Sequence, residues 1–185
     1  MLLTLDLSTR TGWTIGAVAD PKFRYGTFVL PSTGSDIGRF AKAFDDWLVA
    51  QVSGEGADKV TEAVFESPIL PRQTQLATVR KLSGLAWHTE FICTEFQIPC
   101  YEAHQQQVRK YVAGKGNAKK PDIVAAVRRY GYDVGEDDNQ ADAISVRLFT
   151  IATRYPELIN NFPISLGPLG GSHATSTQSA HIRAR

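Results

Sequence analysis

Four acidic residues stand where strands or helices should end rather than on solvated faces. Asp6 lies between Leu5 and Leu7 in a short apolar run, where a charge needs a partner to be tolerated. Glu66 closes a second such run in Val64-Phe65-Glu66-Ser67-Pro68. Asp138 and Asp142 are four residues apart in a helical stretch and so share a face, and Asn139, three before Asp142, can join them. Taken singly, each acid reads as a turn cap or as a helix N-terminus favoured by the dipole. Their order along the chain points to a site. With the two strands side by side and their C-terminal ends together, Asp6 and Glu66 converge where the start of that helix can reach them. Carboxylates meeting in this way cannot all stay ionised without counter-charge. Hard divalent cations supply it through oxygen ligands, and an aspartate bridging two of them about 4 Å apart sets up in-line attack on phosphate. The implied chemistry is phosphodiester hydrolysis with Mg²⁺, two per site, or Mn²⁺ in its stead.

A basic window lies between these acids. Residues 103–132 hold Arg109, Lys110, Lys115, Lys119, Lys120, Arg128 and Arg129 against Asp122, a local charge of +6 inside a chain whose net charge is +1. Lys115-Gly116-Asn117-Ala118-Lys119-Lys120 places backbone N–H groups and cations at a helix N-terminus, which suits a phosphate as well as it suits a solvated turn. Beside an acidic metal-type site, the anion it implies is a nucleic-acid backbone.

The elements that must position these groups follow from periodicity. Leu2–Leu7, Gly12–Val18 and Phe23–Leu30 read as three adjacent antiparallel strands. Ser35 offers an N-cap to a one-faced helix carrying Ile37, Phe40, Ala41, Phe44 and Leu48 and ending near Gly54. Val60–Glu66 is a fourth strand, Thr74–Phe96 a long helix, and Ile98–Glu102 a short fifth strand. Helical stretches follow at His104–Val112, Lys120–Tyr130 and Asp137–Tyr155, the last with a stripe of Ala141, Ile144, Leu148, Ile151, Ala152 and Tyr155. The expectation is an α/β domain over residues 1–159, a mixed five-stranded sheet with helices on both faces. Residues 160–185, rich in Gly, Ser, Thr and Pro, are expected to form a disordered tail.

Composition sets the remaining bounds. The chain has 185 residues, 43% hydrophobic and 21% charged, which suits one folded domain and excludes a disordered or fibrous chain. Two cysteines are too few for a disulfide framework, and the start of the chain has an aspartate at its sixth residue and no basic region of a secretory leader. A cytoplasmic setting is expected, with no membrane partner and no organic cofactor.

Four motifs in this order carry a family resemblance: Leu5-Asp6-Leu7-Ser8-Thr9-Arg10-Thr11-Gly12-Trp13, Phe65-Glu66-Ser67-Pro68, Gly116-Asn117-Ala118-Lys119-Lys120 and Asp138-Asn139-Gln140-Ala141-Asp142-Ala143. Over residues 1 to about 155 the chain resembles the RuvC-type Holliday-junction resolvases, particularly their divergent, phage-like branch, within the RNase H-like nuclease fold. The resemblance implies a homodimer gripping a four-way DNA junction, with a two-metal active site in each subunit cutting symmetry-related strands. Asp6 would bridge the metals, Glu66 would hold one and Asp142 the other. The fourth ligand would be Asp138 or Asn139, because the family's well-known bacterial members carry two acids three apart and Asn139 occupies that place here. Lys120, or its neighbour Lys119, would match the family's active-site lysine. Ile69 and Leu70, followed by Arg72, occupy the stretch where the family sets an apolar residue against junction bases, although core packing at a helix entry explains them equally. Arg10, Arg109, Lys110, Lys115, Asn117 and Lys119 are the further candidate DNA contacts. The long helix is the candidate dimer surface, if its apolar residues are not all spent on the subunit's own core.

Other readings stay in view. Asp6-Leu7-Ser8-Thr9-Arg10-Thr11-Gly12 also resembles the first phosphate motif of actin-like ATPases and sugar kinases, which need a second lobe that residues 1–160 leave no room for. A non-catalytic branched-DNA-binding protein would use the basic window alone. An RNA–DNA hybrid ribonuclease is a further nuclease possibility. A proofreading exonuclease normally opens with an Asp-x-Glu strand, where this chain has Ser8.

Overall fold

The computed structural model describes residues 1–69 and 75–162, together with the backbone of residues 183–184. The strands are β1 (Leu2–Asp6), β2 (Arg10–Gly16), β3 (Arg24–Val29), β4 (Glu62–Glu66), β5 (Cys100–Ala103) and β6 (Arg183–Ala184). The helices are α1 (Ile37–Val52), α2 (Leu76–Glu95), α3 (Gln105–Ala113), α4 (Lys120–Arg129) and α5 (Asp138–Arg154), and a 3₁₀ turn at Pro156–Asn161 follows α5. The sheet order is β3-β2-β1-β4-β5-β6. β1 pairs antiparallel with β2 and parallel with β4, β4 pairs parallel with β5, and β6 pairs antiparallel with β5. The expected mixed sheet of five strands is present, extended by two residues at one edge. The disordered tail expected at 160–185 falls mainly on residues 163–182 and lies outside the described residues, while Phe162 is buried in the core.

β1 and β4 are central strands covered on both faces, so their side chains are buried almost without alternation. The pleat still sorts them. Leu3, Leu5 and Phe65 face one core with Phe40, Phe44 and Leu48 of α1 and Leu85 and Ile92 of α2. Leu2 and Val64 face the other, with Val108 of α3, Ile123 of α4 and Ile144 and Leu148 of α5. On that second face Thr4 and Thr14 share a hydrogen bond of 2.6 Å, and Thr4 Oγ1 donates to the Ala143 carbonyl at 2.9 Å. Two buried hydroxyls thus satisfy each other and tie the sheet to α5.

α1 begins one residue later than expected: the Asp36 carboxylate, not Ser35, accepts the Arg39 N–H at 2.9 Å. Its Phe40, Phe44, Leu48 and Val52 then recur every four residues on the buried face.

α5 is the central helix, buried around its circumference from Ala141 to Ile151, so the apolar stripe in the sequence understates its enclosure. Arg147 is fully buried within it. Its Nη1 donates to the Leu2 carbonyl at 3.0 Å and its Nη2 to those of Gly16 (3.2 Å) and Ala17 (2.6 Å). The guanidinium also lies 4.3 Å from the centre of the Phe23 ring. Burial pulls its pKa down to about 10, which still leaves it charged near neutrality. One side chain therefore pins α5 to the start of β1 and the end of β2. At the same end of the sheet, buried Glu62 forms an ion pair with Arg154 Nε at 2.8 Å and accepts a hydrogen bond from the Tyr155 hydroxyl. None of the described helices is long and apolar enough to cross a membrane.

Candidate active site

Asp6 is the last residue of β1 and Glu66 the last of β4. The parallel register aligns Leu5 with Phe65, so the two acids leave the sheet side by side at its C-terminal edge. The register partner of Asp6 on β2 is Gly12. A Cβ on Gly12 would lie 1.9 Å from the Asn139 carbonyl oxygen and 3.2 Å from Ala143 Cβ. The first turn of α5 therefore rests directly on the β2 backbone opposite Asp6, a close approach only glycine permits. That contact carries Asp138 and Asp142 to the edge where Asp6 and Glu66 end. The start of α5 is held further by Asp137, whose carboxylate accepts the N–H groups of Asn139 (3.0 Å) and Gln140 (3.2 Å) and the Thr27 hydroxyl of β3 (2.8 Å). Burial raises the Asp137 carboxyl, but these hydrogen bonds outweigh it and hold it below its usual range.

The electrostatics show one shared field. Burial pushes the Asp6 carboxyl well above its usual range, and Asp142, Glu66 and Asp138 push it further, with Lys120 opposing. Glu66 is 4% exposed. Burial and then Asp142 raise its pKa to about 7, against a hydrogen bond from Gln105 and the charge of Arg109. Asp142 is raised to about 6 by burial and Asp138, against Arg109 and Lys120. Lys120 pairs with the Asp138 carboxylate, which raises its own pKa despite partial burial. The carboxylates thus exceed the positive charge available to them, and every donor is a hard oxygen. In donor type and charge the set suits a small divalent cation. Among the described residues, no three acidic, histidine or cysteine side chains form a ready-made metal-holding group.

The remaining candidates are spread over the surface, the basic turn and the start of α5. Lys110, Asn117, Lys119 and Arg10 are exposed, as is Ile69 just beyond Glu66. Lys115 pairs with Asp122 at 3.0 Å, and Asp122 also accepts the Lys119 N–H at 3.1 Å, so the acid of the basic window is spent on its own turn. Arg109 is half-buried, donates from Nη1 to the Ala118 carbonyl at 3.0 Å, and acts on Glu66 and Asp142. Asn139 is drawn into the helix cap, its amide donating to Asp137 (3.2 Å) and Asp138 (3.3 Å). Leu70 and Arg72 lie outside the described residues.

Sequence reasoning assigned no role to Gly12 or to Gln105. A glycine inside a strand signals close backbone approach, so Gly12 could have been found. Gln105 Nε2 donates to Glu66 Oε1 at 2.7 Å across 39 residues of chain, and no pattern announces such a pair.

No protein-family model and no curated protein matches the chain. Among solved structures, RuvC from Thermus thermophilus matches with a TM-score of 0.62 at 19% identity, over 85% of this chain and 96% of that one. The chain has the RuvC fold. A second match, T. thermophilus RuvC in complex with a Holliday junction substrate, has the same TM-score and identity and covers 91% of this chain and 98% of that one. The likeness extends through essentially the whole RuvC chain rather than a fragment of it, and the RNase H-like α/β arrangement read from the sequence is the one found.

Proposed function

We propose that the chain is a metal-dependent endonuclease that cuts branched DNA, resolving four-way junctions by paired nicks. The observation that carries the reading is the convergence, at one sheet edge of a RuvC fold, of Asp6, Glu66 and Asp142 from three separate elements under incomplete counter-charge. Asp6, Glu66 and Asp142, with Asp138 beside them, would hold Mg²⁺. Bound there, the cation would supply the positive charge and the activated water that phosphodiester hydrolysis requires.

The chain's own residues handle the substrate. Lys120, exposed over 61% of its side chain and facing Asp138, can turn its ammonium to a phosphate oxygen entering the site. Asn117 and Lys119 present the turn before α4 to the sugar–phosphate backbone. Ile69, 54% exposed at the rim, can lie against an unstacked base. On α2 the Trp87 and Phe91 rings stack at 5.6 Å, 63% and 46% exposed, and this aromatic face supports a homodimer that sets two sites on one junction. Such a protein acts where DNA is, in the cytoplasm.

Synthetic four-way, three-way, flap and linear duplexes incubated with Mg²⁺ test the reading. Paired symmetric nicks in the four-way substrate are expected. Asp6→Asn should abolish them and keep junction binding. Unchanged nicking by that variant would refute the mechanism, and binding without cleavage by the wild type would leave a junction-binding role instead.

A further inference from the structure

Gln105 opens α3, two residues beyond Ala103, the register partner of Glu66 across the β4–β5 pair. Its amide reaches back to Glu66 Oε1 at 2.7 Å. Glu66 is nearly inaccessible, so solvent has little part in orienting its carboxylate. An amide differs from the other groups that act on these acids. Lys120 meets Asp138 with a full positive charge, whereas the Gln105 N–H is neutral and fixes Glu66 without cancelling the charge a cation would need. Arg109, the cation acting on Glu66, is anchored through Nη1 to the Ala118 carbonyl. The amide engages Oε1 and leaves Oε2 outside this hydrogen bond.

We propose that Gln105 is a positioning residue for a divalent cation at this site, holding Glu66 through Oε1 so that Oε2 is the ligating oxygen. The proposal rests on the metal-dependent nuclease reading and adds a residue to it. Hydrogen-bond partners of ligating side chains typically govern metal affinity by one to two orders of magnitude. Gln105→Met keeps the length of the side chain and removes the donor.

The test is Mn²⁺ binding to the full chain, read from the free Mn²⁺ signal by electron paramagnetic resonance, beside four-way-junction cleavage as a function of Mn²⁺. Gln105→Met should weaken Mn²⁺ binding roughly 10- to 100-fold, while saturating Mn²⁺ restores most of kcat. Gln106→Met, on the exposed side of the same helix, should change nothing. If the methionine variant is unstable in EDTA, Gln105→Ala is held to the same Kd criterion. An unchanged Mn²⁺ Kd, with or without a loss of kcat, overturns the proposal and leaves the nuclease reading standing. A wild type that binds Mn²⁺ but cuts no branched DNA overturns the nuclease reading, and the variant Kd still decides the role of Gln105. A wild type that binds no Mn²⁺ overturns both.

Discussion

Replacing Gly12 by alanine inserts one methyl group between β2 and the first turn of α5. Its nearest neighbour would be a backbone carbonyl at 1.9 Å, which no rotamer change can relieve. Contacts under 3.0 Å are essentially never seen for a real Cβ, so the helix must retreat by about 1 Å or more. A retreat of that size stretches the Thr4–Ala143 hydrogen bond of 2.9 Å beyond useful range, while Arg147 still pins the helix two turns further on. Overpacking of about 1–3 kcal/mol and one lost hydrogen bond of about 1 kcal/mol together place the cost near 3 kcal/mol. For a domain of this size that is a fall of roughly 6–12 °C in Tm. The same displacement moves Asp138 and Asp142 away from Asp6 and Glu66, and misplacement by about 1 Å costs about 10²-fold in rate. The assay pairs urea unfolding with single-turnover junction cleavage at a temperature where circular dichroism shows the variant folded. Wild-type stability together with a wild-type rate would refute the argument that Gly12 seats the helix carrying the acids.

Three further outcomes are expected. The Glu66 carboxyl stands at about 7 in the folded chain against its ordinary 4.5, so its contribution is fully present below about pH 4.5 and is lost as pH rises through 7. Without metal, Glu66→Gln should therefore be more stable than the wild type at pH 8 by on the order of 3 kcal/mol, with the gap closing toward pH 4; parallel pH profiles would contradict this. Lys119→Ala with Lys120→Ala should weaken junction binding and lower the slope of log K against log salt by about 1 to 2; an unaltered slope would show the turn to be merely solvated. Trp87→Glu with Phe91→Glu should convert a dimer in sedimentation velocity to a monomer while leaving the circular dichroism spectrum intact, and a persistent dimer would move the interface off this face.

Strand ends and helix faces were legible from two signals, the apolar face recurring every four residues on α1 and the continuous apolar runs of the doubly covered strands β1 and β4. Asp6 and Glu66 stand out as charges inside those runs. What escaped notice was set by contacts between distant elements. Arg147 interrupts the stripe of α5 and looks like a solvent-facing charge, yet carbonyls at two strand ends accept it in the core. Glu62 reads as an ordinary strand residue, and only its meeting with Arg154 and Tyr155 explains its burial. Arg109 counts toward a basic surface in the sequence but turns partly inward, since the Ala118 carbonyl lies within its reach. The sequence reading set the cap of α1 at Ser35, and the helix geometry places it one residue later, at Asp36.

The central place of α5 has a consequence for the order of biosynthesis. Asp142 enters with α5, the last of the described α-helices, and β1, with Asp6, has its second face open until α5 arrives. A nascent or prematurely ended chain lacking that helix has neither the carboxylate set nor the buried arginine that anchors the edge of the sheet. The carboxylate cluster is therefore complete only once α5 has been made, and a product ending before α5 keeps Asp6 and Glu66 without Asp138 and Asp142.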